Sequence, residues 1–200
     1  MTAVAEPWHE ALICRALQRQ LLQNKCIVLV DNCNWTGYEA DVLGVTMNAR
    51  LIDIEVKISR SDFRADARKD KWWRTHGYGR LVGGKYELPP RTQREWPLRV
   101  WKHYYCMPAE VWRDDLMAAA GSPRSGILTI SRQDSATTPY VIRCVRRAQP
   151  NKDADRLKHE SILDIARLAN LRMWDAYGRE HRLAAEISAL RTELDQLRAA

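Results

Sequence analysis

Apolar and polar residues alternate with a period of two along Leu51-Ile52-Asp53-Ile54-Glu55-Val56-Lys57-Ile58, the pattern of a half-buried β-strand that gathers its charges on one face. A second strand, Tyr38 to Val45, precedes it, and the three residues Met47-Asn48-Ala49 between them make the pair an antiparallel hairpin. Upstream, Leu12, Ile13, Ala16, Leu17 and Leu21 form one stripe of a helix that enters at Glu6-Pro7 and runs to about Gln23. Cys26 to Val30 reads as a buried strand, and Asp31-Asn32-Cys33-Asn34 as a polar turn.

Downstream, Ser59-Arg60-Ser61-Asp62 has the chemistry of a helix start, and the pattern predicts a helix through Trp73 with Asp62, Asp66 and Asp70 on a shared face. Residues 75–100 are rich in Gly, Pro, Arg and aromatic residues and read as a loop or small β excursion. His103 to Pro108 is a strand, Ala109 to Ala120 a helix, and Gly126 to Ile130 and Tyr140 to Val145 are two more strands. From about Asp153 the chain is helical, as one element or two. There Leu183, Ile187, Leu190, Leu194 and Leu197 step by four and three, the a/d spacing of a coiled coil. The elements predict an α/β fold with a central mixed sheet flanked by helices over residues 1–150, and a helical extension over 151–200 that could form a homodimer.

The chain has 200 residues, 32 basic against 25 acidic, and a pI near 9.3, which favours a polyanionic partner such as nucleic acid. Five cysteines, an odd number with no Cys-x-x-Cys pair, argue for free thiols rather than a disulfide framework or zinc knuckle. No apolar run approaches the roughly 20 residues that span a bilayer, so no membrane partner and a cytoplasmic location are expected. The five histidines lack metal-ligand spacing, and the glycines near Gly77 and Gly83 lack the Gly-Lys-Ser/Thr ending of a phosphate loop.

Glu55 and Lys57 lie on one strand face about 7 Å apart, and the hairpin brings Asp41 beside them. An Asp on one strand with Glu-x-Lys on the next resembles the PD-(D/E)xK nuclease superfamily, with Ala40 where the family name has proline. The stretch Ile54 to Asp66, the strand His103 to Pro108 and Ser125 to Leu128 also resemble the MmcB-like group of bacterial and phage DNA-repair nucleases. The resemblance implies a restriction-endonuclease-like sandwich and a Mg²⁺- or Mn²⁺-dependent endonuclease acting on DNA. It implies Asp41, Glu55 and the carbonyl of Val56 as metal ligands, with Lys57 orienting or helping to deprotonate the attacking water. A glutamate on the first helix often supports such sites, which makes Glu10 a candidate; complementing the helix N-terminus is its other reading. Arg60, Arg64, Arg68, Lys69, Lys71 and Arg74 are the candidate phosphate contacts, with a solvated helix knitted by local ion pairs as the alternative. Two further readings stay open: a DNA-binding or assembly module that keeps the fold without turnover, and an RNA-directed enzyme using the same charges.

Overall fold

The computed structural model describes residues 7–135 and 137–199. Its centre is a six-stranded mixed sheet built from β1 (Cys26–Cys33), β2 (Ala40–Thr46), β3 (Leu51–Val56), β8 (Val100–Pro108), β9 (Gly126–Arg132) and β10 (Tyr140–Arg146), side by side in that order. The first three form an antiparallel meander; β8 lies parallel to β3, β9 parallel to β8, and β10 returns antiparallel. The expected hairpin is present, closed by a turn in which Ala49 takes a left-handed φ of 56°.

Side-chain alternation divides the sheet into two faces. One carries Val42, Ile52, Ile54, Val56, Cys106, Leu128 and Ile130 and is covered by α1 (Glu10–Leu17) through Ile13, Ala16 and Leu17, the helix running on as a π turn to Leu22. Two clusters cover the other. Leu43, Val45 and Leu51 pack under Ile165 of α3 (His159–Ala199), whereas Tyr105, Met107 and Ile127 pack under Phe63 of α2 (Arg60–Asp66), with Trp72 and Leu116. Asp53, Glu55 and His103 lie in the gap between those clusters.

Several boundaries differ from the sequence expectation. The first helix begins at Glu10 with an extended His9 before it, so Pro7 is outside the helix, and Glu6 lies outside the described residues. β1 continues through Asp31, Asn32 and Cys33, which pair with β2 instead of turning. The basic helix ends at Asp66, because the chain must reverse to bury Trp72; Asp66 is buried one turn after the half-buried Asp62 on the same helix, whereas Asp70 lies beyond it in the 3-10 turn Asp70–Trp72. Between Ala109 and Ala120 there is only a 3-10 segment, Asp114–Ala119, the chain before it being held as a turn by Ala109 N–H on Ile130 O and Val111 N–H on Pro108 O, both 2.9 Å. The 75–100 excursion is two small hairpins, β4 (Trp73–Thr75) with β7 (Arg91–Gln93) and β5 (Arg80–Val82) with β6 (Lys85–Glu87). All five cysteines are unpaired, and among the described residues no helix is long and apolar enough to cross a membrane.

The α2 side of the core is packed to its limit at Gly121. A Cβ there would stand 2.1 Å from the Trp72 ring, which is fully buried and has no room to retreat. Gly121→Ala should therefore cost about 1–3 kcal/mol in urea unfolding. Gly178→Ala, with nothing within 4 Å of the added methyl, should leave stability unchanged or raised.

Candidate functional site

The site forms where β2 begins and β3 ends. Val42 sits opposite Ile54, so the next pair outward sets Asp41 beside Glu55. Asp41 Oδ2 accepts the Val56 N–H at 2.6 Å, which ties its carboxylate to the backbone between Glu55 and Lys57. Lys57 follows the last residue of β3, and its N–H is held by Cys106 O of β8 at 2.9 Å. Its ammonium reaches back 2.8 Å to Glu55 Oε2. The three motif residues of two strands thus meet as the hairpin requires.

The polar row of β3 is not a solvated face. Asp53, Glu55 and Lys57 are 3%, 0% and 2% exposed, because α2 and the chain after it fold over them. Ser59 caps α2 by accepting the Asp62 N–H at 3.1 Å, and the helix carries Asp66 inward at its last turn. There Asp66 Oδ2 accepts from Trp72 Nε1 at 2.8 Å and from Tyr105 O–H at 2.6 Å. Its other oxygen stands 3.3 Å from Lys57 Nζ, 3.3 Å from Lys69 Nζ and 3.5 Å from Lys71 Nζ. Glu55 receives the same three ammonium groups, Lys69 at 3.2 Å on Oε2 and Lys71 at 2.7 Å on Oε1. Two buried carboxylates are shared by three lysines, of which Lys57 and Lys71 are buried and Lys69 is half-exposed. The Lys71 ammonium lies near Glu55 Oε1 but off the hydrogen-bond direction, so both atoms, with Asp53 Oδ1 and His103 Nε2, keep unused hydrogen-bonding capacity.

These positions set the protonation states. Burial opposes the charge on Glu55, but Lys71 and Lys57 together outweigh it and hold the carboxyl down at about 2. Asp66 is likewise lowered: burial is overcome by Lys71 and Lys57 and by the Tyr105 and Trp72 hydrogen bonds. Burial pushes Asp41 up to about 6, aided by the Glu55 charge and opposed by the Val56 N–H. Burial also raises Asp53, against the pull of Lys71. Lys57 is held well above the usual lysine range because Glu55 and Asp66 outweigh its burial. As an ammonium it donates to Glu55 and places a positive charge beside Glu55 and Asp66.

Other candidates are placed differently. Glu10 is exposed on α1, across the sheet from Glu55; its charge slightly raises Asp41, but no hydrogen bond or ion pair joins it to the site. Arg60 donates to the carbonyls of Val111 at 2.9 Å and Glu110 at 3.0 Å. Lys69 and Lys71 belong to the buried cluster, so Lys71 is withdrawn from any phosphate contact. Arg64, Arg68 and Arg74 are exposed. Asp66, Tyr105, Trp72, His103 and Lys71 join the cluster with no local sequence pattern that marks them for it, Lys71 having been expected among the phosphate contacts.

In donor type, the residues fit a hard divalent cation: Asp41 and Glu55 on adjacent strands, one Glu55 oxygen buried without a hydrogen bond, and the carbonyl of Val56, the residue after Glu55. Among the described residues no group of three or more His, Cys, Asp or Glu side chains is arranged to hold a metal, so two carboxylates are the most the chain offers there.

No protein-family model and no curated protein matches the chain. A solved structure of a protein of unknown function from Silicibacter pomeroyi is similar at 20% identity and a TM-score of 0.46, covering 86% of this chain and 87% of that one.

His103 offers a test of the buried cluster that is independent of catalysis. It is fully enclosed, with Nδ1 2.9 Å from Ser125 Oγ, and burial lowers its pKa to about 3, with Lys71 adding to the effect. The folded state therefore resists a proton that the unfolded chain accepts near pH 6.5. Stability from this group is complete above that pH and falls by up to about 1.4 kcal/mol per pH unit on the way down to about 3. Urea unfolding from pH 7 to pH 4 should show a shallower loss for His103→Gln than for the wild type.

Proposed function

We propose that this chain is a metal-dependent endonuclease of the PD-(D/E)xK kind that hydrolyses phosphodiester bonds in DNA, in repair, recombination or phage DNA processing. The observation that carries this reading is the convergence of Asp41, Glu55 and Lys57, fixed by the Asp41 hydrogen bond to Val56 N–H and the Lys57–Glu55 ion pair. The order of elements supports it: a helix, an antiparallel three-stranded meander, a helix and a strand parallel to β3 is the order expected of a restriction-endonuclease-like core. Of the motifs that resemble the MmcB-like group, Ile54 to Asp66 and His103 to Pro108 lie on those elements, and Ser125 to Leu128 on the neighbouring β9.

Asp41, Glu55 and the Val56 carbonyl would hold Mg²⁺ or Mn²⁺, which supplies Lewis-acid polarisation of the scissile phosphate. Lys69 is the ammonium able to give way there, being half-exposed where Lys57 and Lys71 are enclosed. Lys57, permanently charged and anchored on Glu55, would orient the nucleophile and offset the negative charge that grows on the phosphate oxygens. Arg64, Arg68 and Arg74, exposed beyond the site, would bind the flanking backbone. Tyr78 and Tyr86, exposed on the small hairpins beside Arg80 and Lys85, offer stacking surfaces for unpaired bases. Trp73 and Trp96 are packed instead, Trp73 donating to Ala67 O at 3.3 Å and Trp96 to Gln149 O at 2.9 Å.

One observation favours a second reading. Glu55 is fully enclosed by three lysines, as in a cluster kept for structure, and a module retaining the nuclease fold would then bind DNA without cutting it. Cleavage of supercoiled, linear, single-stranded and branched DNA, with an RNA of matched length, separates the two when run with Mn²⁺ or Mg²⁺ and with EDTA. The proposed function predicts metal-dependent cutting that Lys57→Ala lowers by roughly 10²–10³-fold while salt-sensitive DNA binding persists. Asp41→Asn should abolish the calorimetric signal of Mn²⁺ binding yet retain DNA affinity. Tight DNA binding by a wild-type protein that never cuts would reject the enzyme in favour of the module.

A further inference from the structure

The first part of α3 lies on the body of the protein. Ile162, Ile165, Leu168 and Ala169 pack over β1 and β2, and the Arg172 guanidinium donates to Asn32 O at 3.0 Å. Beyond that tether every described side chain from Leu171 to Arg198 is exposed, including the whole a/d stripe, where Leu183, Ile187, Leu190, Leu194 and Leu197 are 46–70% exposed. The stripe does not fold back on its own domain.

The register of that stripe is fixed by its steps of four, three, four and three. Leu183, Leu190 and Leu197 occupy d and Ile187 and Leu194 occupy a, a distribution of β-branched and leucine side chains that favours two strands. The flanking g positions are then Glu186 and Glu193, and the e positions include Arg191 and Arg198. In a parallel pair each g residue faces the e residue five positions later on the partner, so Glu186 meets Arg191 and Glu193 meets Arg198, on both sides of the seam. In an antiparallel pair g faces g and e faces e, which would set glutamate against glutamate and arginine against arginine. One heptad earlier the a position is Glu180, which would face its own copy, so the seam begins at Leu183.

We propose that residues 183–198 of α3 form a parallel two-stranded coiled coil with a second copy of this chain, through Leu183, Ile187, Leu190, Leu194 and Leu197, with Glu186–Arg191 and Glu193–Arg198 setting the parallel orientation. The seam is about 21 Å long, so association is concentration-dependent. The two globular bodies hang from the same end of the coil and are related by its two-fold axis. The proposal stands on the helix alone and holds whether or not the protein cuts DNA.

Sedimentation equilibrium of the full chain should show a monomer–dimer exchange in the micromolar range, and Leu190→Lys, an exposed position that leaves the body intact, should be monomeric throughout. Glu186→Lys with Glu193→Lys should weaken the dimer by about tenfold or more, and adding Arg191→Glu with Arg198→Glu should restore it. Leu197→Cys should cross-link into a covalent dimer under mild oxidation where the wild type, despite its exposed Cys144, does not. A wild-type monomer at all these concentrations, a dimer indifferent to Leu190→Lys, or a dimer that Leu197→Cys fails to cross-link would each overturn the proposal.

Discussion

The structure depends on five charges held in one buried knot. Glu55 and Asp66 carry two negative charges, and Lys57, Lys69 and Lys71 carry three positive ones, all within 3.5 Å of a carboxylate oxygen. Desolvating any one of them alone would cost several kcal/mol, and removing one partner from such a cluster typically costs 3–5 kcal/mol because a charge is left without compensation. The knot sits at the gap between two apolar clusters on one face of the sheet, so it fixes how α2 meets β3 and how the chain after α2 turns back. Asp66 links the parts, accepting from Trp72 and Tyr105 with one oxygen while facing the three ammonium groups with the other.

That arrangement explains which features were legible in the sequence. The strand pattern of β3, the short connection to β2 and the helical periodicity of α3 are local patterns, and the structure has a strand, a hairpin and a helix there. The meeting of Asp41 with Glu55 and Lys57 was also legible, because a hairpin register follows from a short connection, here the four residues between Thr46 and Leu51. The end of α2 was not. Residues 67–73 have good helix formers, yet burying Trp72 beneath Gly121 and against Asp66 gains more than another turn of helix would. The same long-range pull turns Lys71 inward, and a basic residue in a basic run gives no local sign that its ammonium will be buried. Ala109 to Ala120 fails as a helix for a similar reason: its first residues bond back to β8 and β9, and Trp112 packs edge-on to Phe63 with ring centres 6.4 Å apart.

The excess of one positive charge in the knot bears on what the site can do. Burial of Glu55 is outweighed by the ammonium groups around it, so under the proposed function a divalent cation would compete with them for its oxygens. The lysine with the least burial, Lys69, lies on Glu55 Oε2, the same oxygen that Lys57 holds, and Lys71 faces the other. Without Lys69 the knot would hold two negative and two positive charges, and Lys57 and Lys71 would remain on Glu55 and Asp66.

The two ends of the molecule are separable in kind. The body is held by the sheet and its charge knot. The outer half of α3 is exposed along its described length, and its residues follow helix periodicity and the pairing of charges at fixed offsets. An exposed stripe of five large aliphatic side chains is an aggregation hazard unless something covers it reproducibly. The alternation of glutamate and arginine on its flanks is the feature that distinguishes a specified partner from indiscriminate sticking, since it rewards one orientation and penalises the other.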